Sequence, residues 1–267
     1  MKKYLVIGNP IEHSLSPKLH NYWFKKNNIK AIYDKKKINE SDIQGIISEV
    51  KNNKIDGINV TVPFKKSVIS FLDELTPLAN ETQSVNTIYK DKKDKVIGHN
   101  TDVGGFELSL KHINYEVNSK KIFILGSGGV VPSIIIALKK MKVLKIILSN
   151  RTKEKAEDLK RKLNYDFKIL EWGKIPDFDM IINATSLGLK KDDEIKLDYS
   201  KIGPKKLFFD VIYNPNQTKF LSNAKQHGHQ TENGKMMFVY QAHQAFAIWH
   251  NILPNINDET IKLLNND

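Results

Sequence analysis

Apolar positions in the first part of the chain fall into short runs that alternate with stretches of helical spacing. The runs, typical of buried strands, cover residues 4–8, 31–38 and 58–62. The first two helical stretches begin at Ser16-Pro17 and at a capping box over residues 41–44. The third runs through Val68, Ile69, Phe71 and Leu72. This β-α-β-α-β-α order predicts a mostly parallel sheet with covered faces. Residues 86–100 then predict a hairpin with its turn at residues 91–94.

A second alternating series begins at Lys120. Its strands are predicted over residues 121–125, 145–148, 180–184 and 206–212. One helix is predicted directly after the turn 126–129 and another over residues 153–163. A long apolar helix is predicted over residues 236–253. The two series together predict an α/β protein of two domains, with a boundary near residues 103–106.

The net positive charge of the chain makes nucleic acid a partner to consider. The 267 residues have a formal net charge of +12, but the lysines are scattered through every segment. Arg151 and Arg161 are the only arginines, and no basic stripe typical of nucleic-acid-binding proteins is present in the sequence. We therefore expect no nucleic acid partner, and we expect the positive field to attract small anions.

Other function classes are excluded by what the sequence lacks. The absence of cysteine excludes disulfides, thiolate metal sites and a cysteine nucleophile, and it fits a reducing compartment. No apolar run approaches the roughly 18 residues of a membrane span, and the first run is too short for a signal peptide. We expect a cytoplasmic protein with no membrane partner. His227 and His229 lack a carboxylate cluster for a metal, and we expect both to be exposed in a turn.

A glycine-rich turn, Gly126-Ser-Gly-Gly129, joins a predicted strand to a predicted helix. Glycines let a phosphate approach the backbone, and a helix N-terminus supplies free N–H groups. The alternative is a tight turn that needs glycine for its geometry alone. Val131 takes the position of the third glycine of the usual motif, which predicts wider helix–strand packing.

The next predicted strand ends in Asn150, Arg151 and Thr152, and Lys155 follows one helical turn later. NAD-binding proteins commonly have an acidic residue here, which accepts hydrogen bonds from the ribose 2′-hydroxyl. A carboxylate repels a 2′-phosphate, whereas a guanidinium and hydroxyls bind it. The pattern therefore favours NADP over NAD, with a solvated helix start as the alternative.

Polar groups cluster where the strands of the first series end. They lie in the segments 14–16, 59–65, 84–87 and 99–102. Ligands collect at the carboxyl ends of parallel strands, so Ser14, Ser16 and Lys65 could face one crevice. A surface lysine is the alternative for Lys65, but a cation near a helix start is electrostatically unfavourable there. We expect Lys66 to be an ordinary surface residue.

The motifs SLSPKLHN, NVTVPFK, VNT, GHNTD, the glycine turn with NRT, and NATSLG occur in this order before a helix rich in Gln and Ala. Together they resemble the shikimate dehydrogenase family over nearly the whole chain. The resemblance implies NADPH-dependent, reversible reduction of 3-dehydroshikimate to shikimate in chorismate and aromatic amino-acid biosynthesis. It also implies a substrate-binding and catalytic domain over 1–103, a Rossmann-like NADP-binding domain over 104–235, and a helical segment, 236–267, that packs back on the first domain.

The resemblance assigns roles residue by residue. The catalytic acid–base pair is Lys65 and Asp102. The substrate-binding residues are Ser14 and Ser16 for the carboxylate, with Asn59, Thr61, Lys65, Asn86, Asp102, Tyr213 and Gln241. The pyrophosphate turn is Gly126, Ser127, Gly128, Gly129 and Val130, and the 2′-phosphate site is Asn150, Arg151, Thr152 and Lys155. The nicotinamide side is Thr185, Ser186, Val211 and Gly234, and no metal is implied.

Two departures from the family pattern concern loop geometry. Val130 and Val131 stand where small residues usually continue the glycine turn, and Gln83-Ser84 replaces the Gly-Ala of the usual GAVNT. Two alternative functions remain open at this point. One is a quinate/shikimate dehydrogenase with broader substrate and NAD use, and the other is a non-catalytic, nucleotide-sensing protein. An open edge strand of the first domain also permits a homodimer.

Overall fold

A computed structural model describes residues 1–190 and 192–265. The chain divides into two compact units. Unit 1 is Met1–Gly104 together with Val239–Asp267, and unit 2 is Gly105–Phe238. Two helices, α4 (Asp102–His112) and α8 (Lys235–His250), pass from one unit into the other.

Unit 1 is built on a six-stranded sheet. Its strands are β1 (Lys2–Gly8), β2 (Ala31–Lys37), β3 (Gly57–Val60), β4 (Glu74–Leu75), β5 (Thr87–Lys90) and β6 (Val96–His99). Its other helices are α1 (Ser16–Lys26), α2 (Ile43–Lys51), α3 (Pro77–Thr82) and α9 (Asp258–Leu263), with 3-10 turns at Glu40–Asp42 and Ser67–Phe71.

The strand order of this sheet is β2-β1-β3-β5-β6-β4. Strands β1, β2 and β3 are parallel, β5 is antiparallel to both β3 and β6, and β4 is parallel to β6. Only β5 therefore runs in the opposite direction. The carboxyl ends of β1, β3 and β6 and the start of β5 consequently lie at one edge of the sheet, which is where ligand sites of α/β sheets form.

Aliphatic residues from β1, β3, α2 and the hairpin β5–β6 form the core against one face of this sheet. An aromatic layer covers Tyr4 of β1, whose ring lies 4.8 Å from that of Trp249 and 5.5 Å from that of Phe24. Gly57 lies under the same indole, because a Cβ there would stand 2.4 Å from Trp249 Nε1. The C-terminal part of α8 therefore closes the core of unit 1.

Unit 2 has a second six-stranded sheet, which is parallel throughout. Its strands are β7 (Lys121–Leu125), β8 (Lys145–Ser149), β9 (Lys168–Leu170), β10 (Met180–Asn183), β11 (Leu207–Asp210) and β12 (Gln230–Glu232). Its other helices are α5 (Val131–Lys140), α6 (Lys153–Leu163) and α7 (Lys219–Gln226), with a 3-10 turn at Tyr199–Lys201. The order β12-β11-β10-β7-β8-β9 reverses between β7 and β10, as in the Rossmann fold.

Buried strands and aromatic rings form the core of unit 2. Every residue of β10 and of β11 is buried, and Phe208 packs against Phe178, Phe220 and Tyr199. His229 also lies in this layer, stacked on Phe208 with ring centroids 4.9 Å apart. The expectation that His227 and His229 are both exposed is therefore wrong for His229, because its ring extends the apolar stack.

The fold class expected from the sequence is confirmed, including the hairpin and α6, but several local assignments differ. The third predicted helix is only the 3-10 turn Ser67–Phe71. The capping box is formed by Asn39 and Asp42 rather than over residues 41–44, and Asp42 accepts a hydrogen bond from the Asn39 N–H. β3 ends at Val60 because the chain turns toward Pro63, and α8 ends at His250. Within the described residues no helix is long and apolar enough to cross a membrane.

Candidate active site

An amine and a carboxylate meet at the ligand edge of the unit 1 sheet. Lys65 lies in the turn after β3, and Asp102 is the first residue of α4, which follows β6. Lys65 Nζ donates to Asp102 Oδ2 at 2.6 Å, and the two side chains are only 11% and 7% exposed. This shielding strengthens their attraction relative to a surface ion pair, and it makes the removal of either partner costly.

Asn86 holds the other oxygen of Asp102. Asn86 directly precedes β5, so the reversed direction of that strand places it at the same edge. Its Nδ2 donates to Asp102 Oδ1 at 2.9 Å and lies 3.4 Å from Gln241 Oε1. Its Oδ1 accepts from the Thr101 backbone N–H at 2.8 Å. The carboxylate is therefore oriented by a side chain that is itself fixed by two neighbours.

A further buried layer supports Asn86. Asn59 of β3 is the register partner of Thr87 in β5, and its Nδ2 donates to Thr87 Oγ1 at 3.1 Å and to the Asn86 carbonyl at 3.0 Å. Tyr33 of β2 donates its hydroxyl to Asn59 Oδ1 at 2.6 Å. Buried polar groups of this kind are stable only when they are hydrogen-bonded, which explains why the layer is continuous.

The remaining substrate-side residues of unit 1 lie around this edge. Ser14 and Ser16 follow β1 at the start of α1, and Ser14 Oγ accepts from the Ser16 N–H at 3.4 Å. Thr61 follows β3, and its N–H donates to the carbonyl of Ile7 in β1 at 2.9 Å. Gln241 comes from α8. Ser14, Thr61 and Gln241 are partly exposed, whereas Ser16 is buried.

In unit 2 the glycine turn follows β7 at the reversal point of the sheet. Gly126 has a φ of +107°, and a Cβ there would lie 2.8 Å from the Ala184 carbonyl oxygen, so only glycine fits. Ser127, Gly128, Gly129 and Val130 lead into α5, and none of them is fully buried. Val131 is buried as the first residue of that helix. The turn exposes backbone at a helix N-terminus, which is the environment that favours a phosphate.

The residues after β8 present positive charge. Asn150 Nδ2 donates to the Thr152 carbonyl at 2.7 Å, and Thr152 is the N-cap of α6. Arg151 and Lys155 are exposed, and neither forms an ion pair with any residue that the structure describes. In contrast, Arg161 of α6 is paired with Asp158. Exposed cations without an ionic partner suit a phosphate group, but they are also typical of a solvated helix start, so the 2′-phosphate site stays a prediction.

The expected nicotinamide-side residues surround the ends of β10 and β11. Thr185 donates its N–H and its hydroxyl to Asn183 Oδ1 at 3.0 and 2.7 Å. Val211 and Gly234 are in close approach, because a Cβ at Gly234 would lie 2.1 Å from the Val211 carbonyl oxygen. Ser186 is exposed in the loop after β10.

A buried carboxyl joins these loops. Asp210 accepts from Asn183 Nδ2 at 3.0 Å, from the Ile212 N–H at 3.0 Å and from the Thr218 hydroxyl at 2.6 Å. Burial raises the pKa of Asp210 to about 6, and the three hydrogen bonds oppose this shift. Asp210 therefore ties the loop after β10 to the loop after β11.

Every residue assigned to the substrate side except Tyr213 belongs to unit 1, and hydrogen bonds join Lys65, Asp102, Asn86, Asn59 and Gln241 into one network. Tyr213 belongs to unit 2, where its ring stacks on Phe238 at 4.6 Å. Five network residues were not singled out from the sequence: Tyr33, Thr87, Thr101, Asn183 and Asp210. Thr87, Thr101, Asn183 and Asp210 are part of or next to the recognised motifs, which was the available signal. Tyr33 carries no such signal, since its strand is an ordinary edge strand in the sequence.

The Rossmann strand order, the glycine turn and a shielded amine–carboxylate pair define a two-unit, dinucleotide-binding α/β protein. Comparisons with known proteins give a more specific assignment. The family model for the shikimate dehydrogenase substrate binding domain matches residues 6–88, and the model for shikimate / quinate 5-dehydrogenase matches residues 107–218.

A relative from Pelagibacter ubique, named shikimate dehydrogenase (NADP(+)), is 58% identical over 98% of this chain and 98% of its own. The shikimate dehydrogenase structure from Aquifex aeolicus is 35% identical and covers 100% of this chain and 98% of that one, with a TM-score of 0.90. A Thermus thermophilus shikimate 5-dehydrogenase, solved with NADP(H) and shikimate, is 26% identical, with coverages of 99% and 98% and a TM-score of 0.88. The chain belongs to the shikimate dehydrogenase family.

Proposed function

We propose that this chain catalyses the reversible, NADPH-dependent reduction of 3-dehydroshikimate to shikimate, a step of chorismate and aromatic amino-acid biosynthesis. The observation that carries the proposal is the shielded Lys65–Asp102 pair at the ligand edge of unit 1. Family membership supports the substrate class, because the relative from Pelagibacter ubique bears the name of this activity.

The substrate side supplies groups that match a hydroxylated ring carboxylate. Ser14 and Ser16 are assigned to the carboxylate, since their hydroxyls and the start of α1 offer hydrogen-bond donors. Asn59, Thr61, Asn86 and Gln241 are assigned to the rest of the substrate. A site built to hydrogen-bond several hydroxyls discriminates strongly against analogues that lack one of them.

The proton chemistry falls to Lys65 and Asp102. Reduction of a ketone leaves an alkoxide that must gain a proton, and oxidation of the alcohol must remove one. The Lys65 amine stabilises the developing negative charge and exchanges the proton, while Asp102 orients the amine and accepts from a neighbouring hydroxyl. The pair acts as one coupled acid–base unit. Its contribution to the rate is about 10²–10⁴-fold.

The cofactor side is assigned to NADP. The bound cofactor supplies or accepts the hydride. The turn Gly126–Val130 holds the pyrophosphate, and the exposed cations Arg151 and Lys155, with Asn150 and Thr152, hold the 2′-phosphate. Thr185, Ser186, Val211 and Gly234 hold the nicotinamide side. The lack of a carboxylate after β8 supports NADP rather than NAD.

An absorbance assay of reduced nicotinamide tests the proposal. Purified protein is assayed with shikimate and with quinate, each with NADP and with NAD. We expect turnover of shikimate with NADP to exceed the other three combinations by at least about tenfold in kcat/KM. Equal or better oxidation of quinate with NAD would instead identify a quinate/shikimate dehydrogenase. No turnover with any combination would indicate a non-catalytic, nucleotide-binding role.

Cellular context completes the proposal. A chain without cysteine fits the reducing cytoplasm, where we place the reaction.

The open edge of the unit 1 sheet is β2, which permits a homodimer. Its lysines Lys35, Lys36 and Lys37 are of the kind that keep edge strands apart, so sedimentation equilibrium is the deciding measurement.

A further inference from the structure

We propose that Tyr33 is a positioning residue for this reaction, acting on Asp102 through a chain of buried hydrogen bonds. The inference rests on the proposed function and extends the site by a residue that lies outside its motifs. Tyr33 is the third residue of the edge strand β2 and is 2% exposed. Its side chain reaches across β1 to Asn59 of β3, since the strand order is β2-β1-β3.

The chain has four successive bonds. The Tyr33 hydroxyl donates to Asn59 Oδ1 at 2.6 Å, and Asn59 Nδ2 donates to Thr87 Oγ1 at 3.1 Å. The Thr87 hydroxyl then donates to Asn86 Oδ1 at 3.2 Å. Asn86 Nδ2 finally donates to Asp102 Oδ1 at 2.9 Å, and the other carboxylate oxygen accepts from Lys65.

Every donor in this chain points toward Asp102. A one-way chain polarises its members and strengthens each bond, and it ends on the group that accepts best, a carboxylate. The Tyr33 hydroxyl sets the direction at the first step. Because it can donate to the Asn59 oxygen, the amide must present its nitrogen to Thr87 and to the Asn86 carbonyl.

The Tyr33 ring is itself held in place. His20 of α1 stacks on it with centroids 4.3 Å apart and an interplanar angle of 3°. Burial, assisted by the nearby His250, lowers the pKa of His20 to about 3, so the stacked imidazole is neutral near neutral pH. A fixed ring with a fixed hydroxyl direction is what a positioning role requires, since a mobile phenol could not orient an amide.

Tyr33→Phe removes only the hydroxyl, and Tyr4→Phe is its matched control. Tyr4 is the register partner of Tyr33 on β1, is buried to the same 2%, and forms no hydrogen bond with Asn59. We expect Tyr33→Phe to lower kcat for shikimate about five- to tenfold, the scale of one buried hydrogen bond. We expect Tyr4→Phe to stay within about twofold of the parent enzyme, with KM for NADP unchanged in both variants.

Thr87 tests the middle of the same chain. Thr87→Val removes the hydroxyl at nearly constant shape, whereas Thr87→Ser retains it. We expect Thr87→Val to lower kcat like Tyr33→Phe, and Thr87→Ser to recover most of that loss. The double variant Tyr33→Phe/Thr87→Val should be no slower than the slower single variant, because both substitutions break one chain.

Urea unfolding confirms that each variant is folded under assay conditions, and a purely structural role would lower stability without a selective loss of kcat. The inference is overturned if Tyr33→Phe retains kcat within about twofold, or if Tyr4→Phe loses as much. Side-chain amide NMR signals of Asn59 and Asn86 give a readout that needs no turnover. Both should shift in Tyr33→Phe and neither in Tyr4→Phe. If the parent protein does not oxidise shikimate, the proposed function fails. The amide signals still decide whether the hydrogen-bond chain from Tyr33 to Asp102 is present.

Discussion

The polar side chains on the substrate side of unit 1 and on the cofactor side of unit 2 are organised in opposite ways. In unit 1 Asp102 accepts hydrogen bonds from both Lys65 and Asn86, and all three side chains are shielded from water. In unit 2 the cations Arg151 and Lys155 are exposed, without an ionic partner in the described part of the chain.

The difference fits the roles proposed for the two sets of residues. Acid–base groups must already have the correct geometry when the reaction begins, so they are oriented by a surrounding network. Groups that bind a phosphate need only charge and access, and the phosphate itself completes their contacts. Substitutions in unit 1 should therefore change kcat, whereas substitutions on the exposed cations should change cofactor affinity.

The largest effect is expected for Lys65→Ala. We expect kcat for shikimate oxidation to fall about 10³-fold, because the proton-exchanging group is lost. KM for NADP should stay within about twofold, since the cofactor residues belong to unit 2. Steady-state kinetics measure both values. Lys66→Ala, at the exposed neighbouring position, is the control. A fully active Lys65→Ala would remove the assigned mechanism.

A smaller and more selective effect is expected for Arg151→Ala. Loss of a charge-assisted phosphate contact should raise KM for NADP about 10- to 100-fold, while KM for NAD changes little. The only other arginine gives a matched control, because Arg161 is already paired with Asp158 and Arg161→Ala should leave both values unchanged. Raising the ionic strength should reduce the preference of the parent for NADP. An equal loss for both cofactors would argue against 2′-phosphate binding.

Asp210 is an exception to the contrast between shielded groups in unit 1 and exposed groups in unit 2, because it is a buried carboxyl group within unit 2. Its pKa is raised to about 6 by burial, so the folded state holds this proton more tightly than the unfolded chain. The contribution of Asp210 to stability is therefore greatest below about pH 4 and decreases as the pH rises toward 6, since the unfolded pKa is about 3.9.

Asp210→Asn removes this titration. Relative to the variant, the parent should lose on the order of 1 kcal/mol of unfolding free energy between about pH 5 and about pH 7.5. Urea unfolding at the two pH values measures the difference. A constant offset between the parent and Asp210→Asn at both pH values would contradict the assignment.

Periodicity and motifs predicted the central strands of both sheets, because strand runs, capping residues and glycines report local geometry. They missed the short edge strands β4, β9 and β12, which have only two or three residues each. They placed α6 and the hairpin β5–β6 correctly. They failed at Ser67–Phe71, where the apolar spacing fits a helix but the turn continues only as 3-10. The stacking of His229 on Phe208 was also missed, since a side chain in a turn gives no local sign of tertiary packing.

The site was predictable only in part, for a related reason. Motifs identify residues that are next to a recognisable pattern, and so they found Lys65, Asn86 and Asp102. Tyr33 reaches Asn59 across an intervening strand, and nothing local to β2 reveals that contact. Contacts between distant strands depend on sheet order and register, which periodicity alone does not specify.

The smallest effect is expected at a departure from the family pattern, Gln83. This residue ends α3 in the left-handed region, with a φ of 48° and a ψ of 39°, where glycine normally stands. Its side chain partly compensates by donating to the Asn80 carbonyl at 2.7 Å. Two residues later, Val85 donates its N–H to the Lys65 carbonyl at 2.8 Å, so the backbone after Gln83 is fixed against the turn that carries Lys65.

Gln83→Gly should raise the free energy of unfolding by about 0.5 kcal/mol, because relief of the left-handed strain exceeds the lost exposed hydrogen bond and the added flexibility of the unfolded chain. Gln44→Gly makes the same change at an exposed position in the first turn of α2 and should lower the free energy of unfolding by about 0.5 kcal/mol. Activity should not change in Gln83→Gly, since the backbone leading to Asn86 keeps its path. A gain in stability with a loss of kcat would instead mean that Gln83 itself contributes to the orientation of the unit 1 network.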